Sequence, residues 1–148
     1  MFVSESLLRN QLREGQIYLF KDRIPFGVPK HMHICLKKGE DILYFVCCTT
    51  KLDTIKRFLD SRGISYTTLV GLNPDGENAL DKVSYINCNN VKSCPLGDFI
   101  TQYRKDQIES IGEVGEEILN LILAGIQDSP IVEKEVKQIL QEAVSVAS

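Results

Sequence analysis

The two histidines of the chain, His31 and His33, stand two residues apart in the segment His31-Met32-His33-Ile34-Cys35-Leu36. In an extended strand that spacing puts both imidazoles on one face, with Met32, Ile34 and Leu36 on the other. Imidazole changes charge near working pH, so two of them on a non-core face suit a general acid and a general base. The plainer alternative for either histidine is a structural or surface position. Cys35 shares the histidine face, and Cys88 and Cys94 could approach it in space, which makes zinc a further use of the cluster. Against zinc, the five cysteines form no Cys-x-x-Cys pair, and adjacent Cys47 and Cys48 must point to opposite faces of a strand. Cys35, Cys47 and Cys48 lie in apolar runs, where cysteine behaves as a small hydrophobe. No glycine-rich or charged context marks Cys88 or Cys94 as a nucleophile. A phosphate-binding glycine loop, a dinucleotide fingerprint and a nucleophile elbow are all missing from the sequence. Neither a metal nor a cofactor is expected.

The elements that must position these residues can be read from period and punctuation. Ser4 to Arg13 reads as a short helix closed by Gly15, and Gln16 to Lys21 as a strand. Residues 22–30, with Pro25, Gly27 and Pro29, form a loop. His31 to Lys38 alternates like a strand with one face in the core, and Ile42 to Thr50 is apolar on both faces, like a central strand. The two should pair as a hairpin. Lys51 to Arg62 has helical spacing and ends at Gly63; Ile64 to Leu72 is a strand candidate; Asn73-Pro74-Asp75-Gly76 is a turn. Leu80 to Cys88 returns to strand, Asn89 to Leu96 reads as a loop, and a short helical piece lies near Asp98 to Arg104. Glu113 to Ile126 is an amphipathic helix with Val114, Ile118, Leu121 and Ile122 inward, and the last helix starts at Pro130.

With 148 residues, 43% of them hydrophobic and 25% charged, the chain suits one globular domain of ordinary size. No apolar run reaches the ~18–20 residues of a membrane helix, the N-terminal stretch does not read as a signal peptide, and five cysteines without a secretory segment fit a reducing compartment. The expectation is a cytoplasmic protein with no membrane association. A net charge of −3 argues against a non-specific nucleic-acid binder. The distribution qualifies that total: residues 1–38 carry seven bases and three acids, whereas residues 109–148 carry two bases and eight acids. A basic first quarter is what a phosphate backbone would need, although a solvated basic face is the alternative.

Several segments in order resemble the MazF/PemK-like toxin family, small bacterial endoribonucleases on an SH3-like barrel. Gly15-Gln16-Ile17-Tyr18-Leu19-Phe20 resembles the family's opening strand, and the loop 22–30 stands where the family has a mobile loop over its active site. His31-Met32-His33-Ile34-Cys35-Leu36 is similar to the second strand, and Val46-Cys47-Cys48-Thr49-Thr50 to the third, which ends in Pro-x-Thr-Ser. Leu80-Asp81-Lys82-Val83-Ser84 resembles a later Leu-x-x-x-Ser strand, and Ile111-Gly112-Glu113-Val114 the closing pattern before a helix. In two places the chain departs from the family. His31 stands where the family has an arginine, unless Lys30 replaces it by a shift of one place, and Cys47 stands where the family has a proline.

The resemblance implies a mainly β (α+β) fold, a small SH3-like barrel over about residues 15–110 with C-terminal helices over about 111–148. It implies metal-independent cleavage of single-stranded RNA, with His31 and His33 as acid and base and Thr49 donating a hydroxyl to the phosphate. Arg23, Lys30, Lys37, Thr50 and Ser84 would bind substrate. It further implies a homodimer and a separate, acidic antitoxin protein as partner. The helix after Pro130, beyond the family's usual end, could pack on its own domain, extend a dimer interface or shield the basic region. A non-catalytic binding module on the same barrel is the rival expectation, because fold alone does not decide activity.

Overall fold

The computed structural model describes residues 12–20, 31–38 and 41–147, with side chains described as far as residue 141 except that of Lys38. Strands β1 (Gln16–Phe20), β2 (Met32–Lys38) and β3 (Ile42–Thr49) are followed by helix α1 (Leu52–Arg62), a single 3₁₀ turn (Tyr66–Thr68) and strand β4 (Leu69–Leu72). Strand β5 (Ser84–Pro95), helix α2 (Leu96–Arg104), strand β6 (Ile108–Glu113) and helices α3 (Glu116–Asp128) and α4 (Lys134–Ala147) complete the chain. The fold is α+β: one six-stranded antiparallel sheet in the order β4-β5-β3-β2-β1-β6, with four helices among the described residues. The sheet is open, with β4 and β6 as its edges, and does not close into a barrel. The helix expected over Ser4 to Arg13 and the loop 22–30 fall mainly or wholly outside the described residues.

Both faces of the sheet are buried. On the first, Ile17, Ile34, Leu36, Val46, Cys48, Ile86 and Cys88 pack against Ile122, Leu123 and Ile126 of α3 and Leu140 of α4. On the second, Tyr18, Phe20, Cys35, Leu43, Phe45 and Cys94 pack against Leu96, Phe99 and Ile100 of α2. A third cluster sets Ile55 and Leu59 of α1 on Ile64, with Leu69 and Tyr85 beside them. Strand β2 therefore has no solvent face over its middle: Cys35 and His33 are as fully buried as Ile34 and Leu36. The expected polar face of the alternation is the second core. Cysteine and a neutral imidazole are apolar enough to enter it, and widely separated aromatics supply the rest of its bulk.

The expected hairpin of β2 and β3 is present, as is the helix ending at Gly63, which takes the left-handed conformation (φ 64°) that a C-terminal cap favours. Four segments differ from expectation. Of Ile64 to Leu72, expected as a strand, only Leu69–Leu72 is one, and Tyr66–Thr68 form the 3₁₀ turn before it. Residues 89–95, expected as a loop, continue β5, while 80–83 are not strand. Val46 pairs with Val91 but Cys48 with Ile86, so residues 87–90 bulge out of the ladder. The asparagines close this bulge: Asn87 Oδ1 accepts from the Asn89 amide (3.0 Å) and from Asn89 Nδ2 (2.9 Å), which also donates to Thr68 Oγ1 (2.9 Å). Turn-forming side chains here bend a strand rather than end it. Residues 108–113 form the edge strand β6 on β1. Finally, α4 begins at Lys134, not Pro130, because Ser129 Oγ accepts from the Ile131 and Val132 amides (3.2 Å each) and holds an intervening turn. Leu121, expected inward on α3, is 52% exposed; Ile122 and Leu123 face the core instead.

Candidate functional site

The β2–β3 ladder pairs His33 with Cys47 and Ile34 with Val46. Continued two residues, the same register sets His31 opposite Thr49. On the other side of β3, Thr49 pairs with Tyr85, which puts Ser84 one step beyond, opposite Thr50. One end of the sheet thus gathers His31 and Thr49 on the second face and Thr50 and Ser84 on the first, residues separated in sequence by up to 53 positions. Their exposure differs. Thr50 is exposed, His31 and Thr49 are half-buried, and Ser84 is buried with its hydroxyl donating to the Lys82 carbonyl (3.3 Å). Thr49 Oγ1 accepts from the Lys51 amide (3.1 Å), so the threonine also holds the start of α1.

His33 lies inside this end rather than on it. Its ring stands edge-on to Phe20 at 4.7 Å between centroids and to Phe45 at 6.5 Å. Nδ1 lies 3.1 Å from the His31 carbonyl, which fixes the neutral tautomer with the proton on Nδ1. Burial is the main force pushing its pKa down to about 4; the charges of His31 and Lys92 push the same way, and the bond to the His31 carbonyl opposes them. An imidazole so placed is neutral at working pH and enclosed by aromatic rings. The acid–base pair expected of His31 and His33 is therefore not formed by two solvent-facing imidazoles. His33 instead ties the start of β2 to the second core.

Lys37 is at the opposite end of β2, about 20 Å from His31 at the rise of an extended strand. Its Nζ donates to the Ile139 carbonyl of α4 (3.0 Å), so it anchors that helix and does not join the His31 group. Arg23 and Lys30 lie outside the described residues.

Lys92 is passed over in the sequence because it sits in the polar run taken for a loop. On β5 it pairs with Phe45 and shares the second face with His33 and Cys47. It is half-buried, and its charge lowers the pKa values of both His33 and Cys47. Residues two apart share a face of a strand, so Lys92 lies on the second face with Cys94.

The thiols are poor nucleophiles. Burial pushes Cys47 up to about 11 and Cys48, Cys88 and Cys94 up to about 12, so each is a protonated thiol at neutral pH. Among the described residues, no group of three His, Cys, Asp or Glu side chains stands close enough to hold a metal ion. Among them too, no helix is long and apolar enough to cross a membrane. The arrangement offers one accessible imidazole and the Thr49 hydroxyl on one face, with Thr50 exposed at the strand end, groups suited to a phosphate and one proton-transfer site. No family model matches the chain, and no curated protein matches it.

Proposed function

We propose that this chain is a MazF/PemK-like endoribonuclease that cleaves single-stranded RNA without a metal ion. One observation carries the reading: the strand register brings His31, Thr49, Thr50 and Ser84, far apart in sequence, to one end of the sheet. The connectivity supports the finer SH3-like expectation. Strands β1, β2 and β3 form a meander extended by β5, and β6 returns to the free side of β1. In this mechanism His31 accepts the proton of the RNA 2′-hydroxyl as that oxygen attacks phosphorus. It then delivers the proton to the departing 5′-oxygen, leaving a 2′,3′-cyclic phosphate and a 5′-hydroxyl. Thr49 and Thr50 donate to the phosphate oxygens, and Arg23 and Lys30 add positive charge. A homodimer and an acidic antitoxin partner belong to the same reading.

The rival is a non-catalytic RNA- or partner-binding module at the same strand ends. It is favoured by the burial of His33, which leaves a single histidine where two were expected. Mixed-sequence RNA incubated with the protein in EDTA separates the two. Cleavage to cyclic-phosphate ends that is abolished by His31→Ala supports the enzyme. RNA retention by folded protein without cleavage supports the module, and neither binding nor cleavage refutes both.

A further inference from the structure

Among the described residues, helices cover the second face of the sheet at two places. Helix α2 packs over Tyr18, Phe20, Leu43 and Phe45, and α1 packs over Ile64 and Leu69. Between them on β3 and β5 lie Cys47 and Lys92, both half-buried. Lys92 forms no ion pair with any described residue. An ammonium withdrawn partly from water with no anion beside it carries a desolvation cost that a bound anion would offset. Helix α1, which borders the gap, carries Lys51, Lys56, Arg57 and Arg62 against Asp53 and Asp60, so its own charge is positive. The acidic helix α3, with Glu116, Glu117 and Asp128 and no base, packs on the first face, away from this gap.

The gap also runs toward the His31 group. Along β3, Phe45, Cys47 and Thr49 point to the same face, and Thr49 is four residues, about 13 Å, from the Phe45–Lys92 rung. That distance is too long for Lys92 to reach the phosphate held by Thr49. It suits another phosphate of the same strand.

We propose that Lys92 binds a backbone phosphate flanking the scissile one, so that single-stranded RNA crosses β3 and β5 in the gap between α1 and α2. The inference rests on the RNA reading above and adds the path of the strand. Lys92 acts there as a point charge on the backbone and reads no base. The electrostatic pressure of Lys92 on His33 and Cys47 agrees with a cation held at the floor of that path.

The test measures the affinity of the full chain for a mixed-sequence single-stranded RNA across a series of KCl concentrations in EDTA. The wild type is compared with Lys92→Gln and Lys92→Arg, and thermal unfolding confirms that each is folded. Losing one phosphate contact reduces the slope of log K against log salt by about 0.7 for a single strand. It weakens all sequences alike. The expected result is that loss in Lys92→Gln and its recovery in Lys92→Arg. Should Lys92→Gln unfold, Lys92→Met, which keeps the length of the side chain and removes its charge, takes its place: a slope reduced by the same amount supports the contact and an unchanged slope overturns it. Wild-type RNA binding with an unchanged slope in Lys92→Gln overturns this inference and leaves the RNA reading standing. No RNA binding by the wild type overturns both. Loss of binding to polyglutamate, with RNA binding unaltered, would assign Lys92 to an acidic protein partner and overturn the proposed path.

Discussion

The burial of His33 makes a quantitative prediction about acid. Its pKa is about 4 in the fold and about 6.5 in an unfolded chain. The unfolded state therefore binds a proton that the native state refuses, so stability is complete above the unfolded pKa and is lost as pH falls toward the native one. Between about pH 7.5 and about pH 4.5 these two values cost about 2.5 kcal/mol of folding free energy. Carboxylates titrate over the same range, so the measurement is a difference between wild type and His33→Phe. Phenylalanine keeps an aromatic ring against Phe20 and cannot take up a proton. It loses the Nδ1 bond to the His31 carbonyl, a net cost of about 1 kcal/mol, but that carbonyl still accepts from the Phe20 amide (3.3 Å). Urea unfolding at the two pH values should show the wild type losing about 2.5 kcal/mol more than the variant. Below about pH 6 the variant should become the more stable protein, because the proton-linked loss then exceeds the hydrogen bond. Equal pH dependence in the two proteins would refute a buried neutral imidazole. In the RNA assay the folded variant should retain cleavage; its complete loss would restore His33 to the proton-transfer pair.

Other sites give sharper structural tests. Lys37→Met removes the bond to the Ile139 carbonyl and should cost about 1 kcal/mol in denaturant unfolding, with RNA affinity unchanged. Gly112→Ala would place a Cβ 2.5 Å from the Glu77 carbonyl oxygen and 3.0 Å from the Asn78 carbonyl carbon, backbone atoms that cannot swing away. Calorimetry should show a loss of about 1–3 kcal/mol from this overpacking. Deleting residues 130–148 uncovers the first-face core beneath Leu140 and the half-buried Val132, Val136 and Ile139. Light scattering should then report aggregation; a soluble, folded truncation with raised RNA affinity would instead revive a shielding role for α4.

What could be read from the sequence was what local chemistry decides. The β2–β3 hairpin, the helix closed by Gly63 and the turn in which Asp75 Oδ1 accepts from the Glu77 and Asn78 amides (2.8 and 2.9 Å) all follow from a few adjacent residues. The second core does not. It depends on Tyr18, Phe20, Phe45 and Phe99 meeting from three separate elements, with Phe45 and Phe99 stacked at 5.8 Å. Without that partner, the His31-x-His33-x-Cys35 face reads as polar. The β5 bulge and the β6 edge were hidden for a related reason: asparagines normally signal a loop, and an edge strand needs little alternation when only one neighbour pairs with it. The candidate site was legible as a set of residue types on strand ends, but register alone decides that Lys37 departs from the set and Lys92 approaches it.

A sheet buried on both faces also restricts where chemistry can occur. In a one-sided sheet, the outward side chains of every strand are available to a ligand. Here α3 and α4 occupy one face and α1 and α2 most of the other. Among the described residues, what remains is the strand end bearing His31, Thr49 and Thr50 and the stretch bearing Cys47 and Lys92. The charge pattern follows the same division, because acidic α3 is fixed to the first face through its apolar residues while Lys92 lies on the second. Acid and base are thus held apart by the sheet itself. A negative total charge is then compatible with an RNA-binding surface, since a polyanion crossing the second face is separated by the strand layer from the carboxylates of α3.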